Sequence, residues 1–202
     1  MKLVFRPLYY QKHKNLTYFQ PWTYRIYTDP VTGWSSWWAY FRKFDENNQQ
    51  KLLDVWKEKR FADYGYRFIQ IDDVYQGEFD KGRENCKQAN GYQGGRPTTW
   101  LDWKKDLFPG GLSRYVSSVK QSGFSPAIWM GCFFSDEETT RQHPGWFVTD
   151  ASGKPAAAPW VSYAMDATND EVAETLIRPV FRGLKNAGVE YVKIDQLRHF
   201  LY

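Results

Sequence analysis

The chain has 202 residues and a mass of 23.9 kDa, and its 27 basic and 23 acidic side chains give a formal charge of +4. A mean hydropathy of -0.67 without a long uncharged apolar run excludes a transmembrane span, and interleaved charges leave no basic patch for nucleic acid. Two cysteines, Cys86 and Cys132, are too few for a disulfide scaffold, and with three scattered histidines they form no zinc motif, so neither metal nor other cofactor is expected.

The opening MKLVFRPLYYQKHKN shows no small-residue cleavage site after an apolar stretch, so no signal peptide is visible. Residues 1–30 have no clear period and read as an extended lead-in, with 31–202 as the structured domain. GWSSWWAY, residues 33–40, reads as a first strand. A helix is then predicted over Gln49 to Tyr64, with Leu52, Val55 and Trp56 at helical spacing and Gly65 as its stop. The strand Tyr66 to Ile71 runs into Asp72-Asp73.

A second helix begins after Pro109-Gly110-Gly111, carries Leu112, Tyr115, Val116 and Val119 on one face, and ends at Gly123 before the strand Phe124 to Met130. The third begins at Thr168-Asn169-Asp170-Glu171 and presents Val172, Leu176, Val180 and Leu184. Pro179 falls inside it and predicts a kink. Gly188 ends this helix, and the strand Glu190 to Ile194 leads to Asp195. Four strands separated by three helices predict a parallel α/β sheet of the (β/α) TIM-barrel type. Two long irregular loops, 74–108 and 132–167, follow strand C-terminal ends, the face where such barrels place their chemistry. A whole barrel takes about 250 residues, so four strands read as its first half. Either a second copy of the chain or a C-terminal half would complete it.

Strand alternation assigns faces. Tyr191, Lys193 and Asp195 point toward the barrel axis, with Val192 and Ile194 toward the helices. Gln70 and Asp72 likewise point inward, with Ile69 and Ile71 outward. Charged residues on an inward strand end are costly to desolvate unless they pair or bind something. With no Gly-x-Ser-x-Gly and no phosphate-binding glycine loop, carboxylate chemistry in an aromatic setting remains. Aromatic rings can cover the C–H faces of a sugar while acids and a lysine take its hydroxyls. Trp100, Trp103 and Trp129 are candidates for that role, the alternative being ordinary core packing.

GWSSWWAYF, GYRFIQIDDVY, LFPGGL, RQHPGW and YVKIDQ occur in that order. The set resembles the melibiase-type α-galactosidases, glycoside hydrolase families 27 and 36, over residues 33–202. The resemblance implies a TIM-barrel catalytic domain and retaining hydrolysis of α-galactosides or related α-glycosides, with an oligosaccharide or glycoside as substrate. It implies Asp195 as nucleophile, Lys193 as a contact to sugar hydroxyls, and Asp72 and Asp73 as holders of the hydroxyls on the far side of the ring. A tryptophan from the loop before LFPGGL, Trp100 or Trp103, lines the pocket. The acid/base partner comes from a later strand in the family. Asp136, Glu137 and Glu138, after the third strand, are the candidates within this chain. The sequence departs from the family where Ile194 stands in place of an aromatic, and where Trp129-Met130-Gly131-Cys132-Phe133-Phe134 replaces Trp-Phe-Glu-Pro-Glu-Met. A non-catalytic, carbohydrate-binding or self-assembling half-barrel is the competing reading.

Overall fold

The computed structural model describes residues 30–76, 95–158 and 162–195, together with Lys12. The expected lead-in and Cys86 therefore lie outside the described residues, Lys12 and Pro30 apart. The fold belongs to the compact unit Val31–Tyr202.

The first strand, β1 (Gly33–Ser35), is shorter than GWSSWWAY predicts. From Ser36 the chain turns into a short helix, α1 (Ser36–Tyr40), and a 3-10 turn, Phe41–Lys43. The reason is a long-range contact: the Ser36 hydroxyl accepts the Asp72 backbone N–H at 2.9 Å, where the chain leaves the sheet. Gly33 suits its position because a Cβ would lie 2.1 Å from the Phe68 carbonyl oxygen.

Helix α2 (Glu46–Glu58) is capped by the Asp45 carboxylate, which accepts the Asn48 N–H at 2.7 Å. A 3-10 turn, Phe61–Tyr64, leads to strand β2 (Phe68–Ile71). Short helix α3 (Pro97–Leu101) is followed by α4 (Gly111–Gln121) and strand β3 (Ser125–Met130). The predicted stops at Gly65, Gly123 and Gly188 have φ values of 84°, 86° and 95°. That left-handed conformation is inexpensive only for glycine.

The described residues of the 132–167 segment hold more regular structure than the sequence predicts. They hold β4 (Phe134–Ser135), α5 (Glu137–Gln142), β5 (Ala157–Ala158) and β6 (Ser162–Ala164). These three strands form a small antiparallel sheet in the order β4-β6-β5. Two- and three-residue strands are too short to register as a period-2 pattern, so the segment reads as loop.

The last helix starts as α6 (Asp170–Val172), capped by Asn169, which accepts the Glu171 and Val172 N–H groups at 2.8 and 3.2 Å. It widens into a π turn, Ala173–Ile177, and continues as α7 (Arg178–Ala187). Pro179 thus sits in the first turn of a renewed α-helix, where its missing N–H costs least. Strand β7 (Tyr191–Ile194) completes the four-stranded parallel sheet, in the order β1-β2-β3-β7.

Ile69 and Ile71 of β2 and Ile128 and Met130 of β3 pack into one buried core with Leu53 and Trp56 of α2. Tyr115, Val116 and Val119 of α4 and Val180 and Leu184 of α7 complete it. The helices therefore cover one face of the sheet, and α4 touches both α2 and α7. The other face presents Ser35, Gln70, Asp72, Trp129, Lys193 and Asp195. A hollow of about 200 Å³ opens on that face, lined by Gly33, Ser35, Phe68, Gln70 and Tyr191 among others. Among the described residues no helix is long and apolar enough to cross a membrane.

Candidate active site

The inward strand ends meet at Asp72. Its carboxylate is buried, with 3% of the side chain exposed. Oδ2 accepts from Gln70 Nε2 at 2.7 Å and Lys193 Nζ at 3.0 Å, with Ser35 Oγ at 3.4 Å, and Oδ1 accepts the Asp73 N–H at 3.0 Å. A buried charge needs such partners, since desolvation otherwise outweighs anything it gains. Each donor comes from a strand end of the parallel sheet or its immediate sequel: Ser35 on β1, Gln70 and Asp73 on and after β2, Lys193 on β7.

Lys193 connects this cluster to Asp195. Its Nζ lies 4.0 Å from Asp195 Oδ2, and the Asp195 side chain is 42% exposed. Trp129, the register partner of Lys193, donates its indole N–H to the same oxygen at 2.9 Å. The Asp195 backbone N–H bonds the Met130 carbonyl at 2.9 Å, which extends the β3–β7 ladder to the carboxylate itself. Asp195 is thus an accessible carboxylate on a fixed backbone, oriented by an indole and a lysine.

Asp73 is held separately. Arg42 bonds its Oδ2 at 3.1 Å and Gln76 Nε2 its Oδ1 at 2.9 Å. Sequence reasoning missed Arg42, Gln76, Ser35 and Ser36. Ser35 and Ser36 fall inside GWSSWWAY, which reads as continuous strand and hides its early end, and Arg42 is 31 residues from Asp73. Gln76, three residues after Asp73, offered the only local signal.

The two tryptophans that the sequence leaves open differ in their surroundings. Trp100 lies beside Trp129, with ring centroids 6.2 Å apart. Trp103 is enclosed by Tyr75, Phe108 and Tyr115 at centroid distances of 4.6 to 5.3 Å, and its indole N–H is buried without a hydrogen-bond partner. Behind Trp129, Tyr75 donates its hydroxyl proton to the Trp129 carbonyl at 2.8 Å. Burial first, with the neighbouring Cys132 and the negative charge of Asp73 and Asp72, raises the Tyr75 pKa well above the usual phenol value, so it acts as a neutral donor.

The acid/base candidates after β3 have other roles. Asp136 is buried and caps α5, accepting the Thr139 N–H at 2.9 Å and the Thr139 hydroxyl at 2.6 Å. Glu137 and Glu138 begin the first turn of that helix. The departure at Gly131 has a packing reason: a Cβ there would lie 2.2 Å from the Phe134 ring. Burial pushes the neighbouring Cys132 thiol up to about 12, so it is no nucleophile at neutral pH. Among the described residues no group of His, Cys, Asp and Glu side chains could hold a metal.

Comparison with known proteins identifies the family. The family model described as Melibiase matches residues 18–201. The chain belongs to the Melibiase family. Within reach of this family, the α-galactosidase AgaA of Geobacillus stearothermophilus is 23% identical over 167 residues, covering 82% of this chain and 20% of that protein. Alpha-galactosidase 1 of Pediococcus pentosaceus is 24% identical over 169 residues, with the same coverage of 82% and 20%. The chain therefore spans about a fifth of the length of the curated relatives it matches. In structure it is similar to the Thermus thermophilus α-galactosidase solved with stachyose. The TM-score is 0.62 at 25% identity, over 86% of this chain and 34% of that one. Its four parallel strands and their helices are thus part of a TIM-barrel fold of the melibiase type.

Proposed function

We propose that this chain supplies the galactose-holding and nucleophilic part of a retaining α-galactosidase. The observation that carries the reading is the Lys193 ammonium set between a buried Asp72 and an exposed Asp195, with Trp129 donating to Asp195. Membership in the Melibiase family and the α-galactosidase relatives support the same class of substrate.

In this reading an Asp195 oxygen attacks the anomeric carbon of an α-galactoside. The C1–Oδ bond forms as the bond from C1 to the leaving oxygen breaks, and that oxygen takes a proton from a second carboxylic acid. Water then attacks C1 from the same side, giving its proton to the second carboxylate and releasing Asp195, so the configuration is retained. The retaining geometry sets the two carboxyl groups about 5–5.5 Å apart. Asp136 is engaged as a helix cap, and the acid/base is assigned to a barrel strand later than β7. In this reading the partly exposed Lys193 takes ring hydroxyls, held in place by Asp72, while Trp129 and Trp100, 2% and 0% exposed, back the carboxylates from the core instead of offering a free ring face.

The test is release of nitrophenol from a nitrophenyl α-galactoside by the protein and by its Asp195→Asn variant. The variant should lose at least about a thousandfold in rate. Equal release by both would overturn the assignment of Asp195.

A further inference from the structure

We infer that Trp38 and Phe41 form a platform for the sugar residue on the leaving-group side of the scissile bond, an inference that rests on the galactoside reading above. The segment from Ser36 to Arg42 is tied at both ends to the paired aspartates. The Ser36 hydroxyl accepts the Asp72 N–H at 2.9 Å, and the Arg42 guanidinium bonds Asp73 at 3.1 Å. Between these ties runs α1, five residues long, or about 7.5 Å at 1.5 Å per residue. Whatever this segment displays therefore lies close to the carboxylates.

It displays aromatic rings in two different ways. Tyr40 turns inward against Trp34 and Phe44, at centroid distances of 6.1 and 5.1 Å, and anchors the segment to the core. Trp38 does the reverse, with 81% of its surface exposed, and Phe41 is 52% exposed. Phe41 touches Trp37 and Trp38 edge to face, at 67° and 75° between ring planes. Such a contact covers a face of only one ring in each pair, and at 81% exposure Trp38 keeps the open aromatic surface that the C–H side of a pyranose covers.

The backbone at Phe41 argues that the ring is there for a purpose other than folding. Its φ of 50° and ψ of -124° match the first central position of a type II′ turn, which glycine fills without strain. A phenylalanine there carries strain and gains little burial in return. Strain retained beside a site, by a side chain exposed to solvent, points to ligand contact.

Calorimetry on the Asp195→Asn protein separates the alternatives, using free galactose and raffinose, a trisaccharide ending in α-linked galactose. Trp38→Ala and Phe41→Gly should each weaken raffinose binding about tenfold, the effect of uncovering part of a ring face. Galactose binding should stay within twofold of the parent, and Phe41→Gly should melt no lower than it, since glycine accepts this backbone. An unchanged raffinose-to-galactose ratio overturns the platform and leaves the Asp72–Lys193 reading standing. Equal weakening of both sugars also overturns it, because the segment would then act through the aspartates. A shift in sedimentation with the ratio unchanged assigns the patch to protein contact and overturns it too. A parent that binds neither sugar removes both readings together.

Discussion

The Lys193 ammonium sits 3.0 Å from the Asp72 carboxylate, closer than to its own strand neighbour Asp195 at 4.0 Å. Strand alternation alone pairs Lys193 with Asp195, two residues away on the same face. The structure instead makes Asp72 its main partner, 121 residues distant, and leaves Asp195 the more exposed of the two carboxylates. Such an arrangement separates two tasks. Asp72 is buried and already surrounded by donors, as suits a group that fixes the Lys193 ammonium in place. Asp195, with 42% of its side chain exposed, keeps the room that the proposed nucleophilic role requires.

Removing the lysine should therefore act first through Asp72. In Lys193→Met the buried carboxylate keeps Gln70 and the Asp73 N–H but loses its cation. Breaking a fully buried pair costs about 3–5 kcal/mol, but the Lys193 side chain is 37% exposed and solvent screens it, so a loss of about 1–2 kcal/mol is expected. The double variant Lys193→Met with Asp72→Asn should regain much of that stability in urea unfolding while still failing to bind galactose. A double variant no more stable than the single one would show that the pair does not account for the loss.

Trp129 offers a cleaner probe of Asp195. Trp129→Phe keeps an aromatic ring beside Trp100 and deletes the indole donor 2.9 Å from the carboxylate. A hydrogen bond to a charged group contributes about 1.5–3 kcal/mol. If that bond orients the nucleophile in the transition state, kcat should fall about 10- to 100-fold with little change in KM. An increase in KM at constant kcat would overturn that role and leave Trp129 acting on binding alone, through the carboxylates it backs.

Much of this site was legible because strands report their faces. The alternation in Tyr191–Asp195 and in Phe68–Asp72 placed Gln70, Asp72, Lys193 and Asp195 on one side, where they meet. Glycines after helices marked the strand starts equally well. What escaped the sequence depends on contacts that no local rule encodes. Ser36 ends β1 by bonding the Asp72 N–H, so an apolar run that reads as strand becomes helix after three residues. Arg42 reaches Asp73 just after the unusual Phe41 backbone, a turn that no sequence pattern announces. The β4–β6 pairing joins residues near 134 and 164, with strands too short to show a period.

That turn makes Arg42 a positioning residue for Asp73, whose side chain is only 10% exposed. Arg42→Met should weaken galactose binding about tenfold, because Asp73 loses the charge that fixes its Oδ2. Arg42→Lys should recover part of it, since an ammonium supplies charge without the planar fork of the guanidinium. Titration calorimetry distinguishes the two, and a lysine variant no better than methionine would mean that geometry rather than charge carries the effect.

The alkaline stability profile should show the buried hydroxyls and thiol. Tyr115 Oη lies 2.5 and 2.7 Å from the Ile69 and Ala127 carbonyls, its one proton serving one at a time, and burial raises its pKa well above 10.0, outweighing the lowering by backbone hydrogen bonds of Ala127 and Ile71. Cys132 rises from 9.0 to about 12, also through burial, and Tyr75 is raised for the same reason first. Below pH 9 all three hold their protons in both folded and unfolded chains, and their contribution is complete. Above it the unfolded chain releases protons that the folded chain retains, so stability falls as pH rises, by up to about 1.4 kcal/mol per pH unit for each group. Cys132 acts alone between its unfolded value of 9.0 and the tyrosine value of 10.0. In Cys132→Ala the slope of unfolding free energy against pH should therefore flatten in that interval, and in Tyr115→Phe only above it. Chemical denaturation at stepped pH measures both slopes, and a Cys132→Ala profile parallel to the parent's from pH 9 to 10 would contradict the buried, neutral thiol.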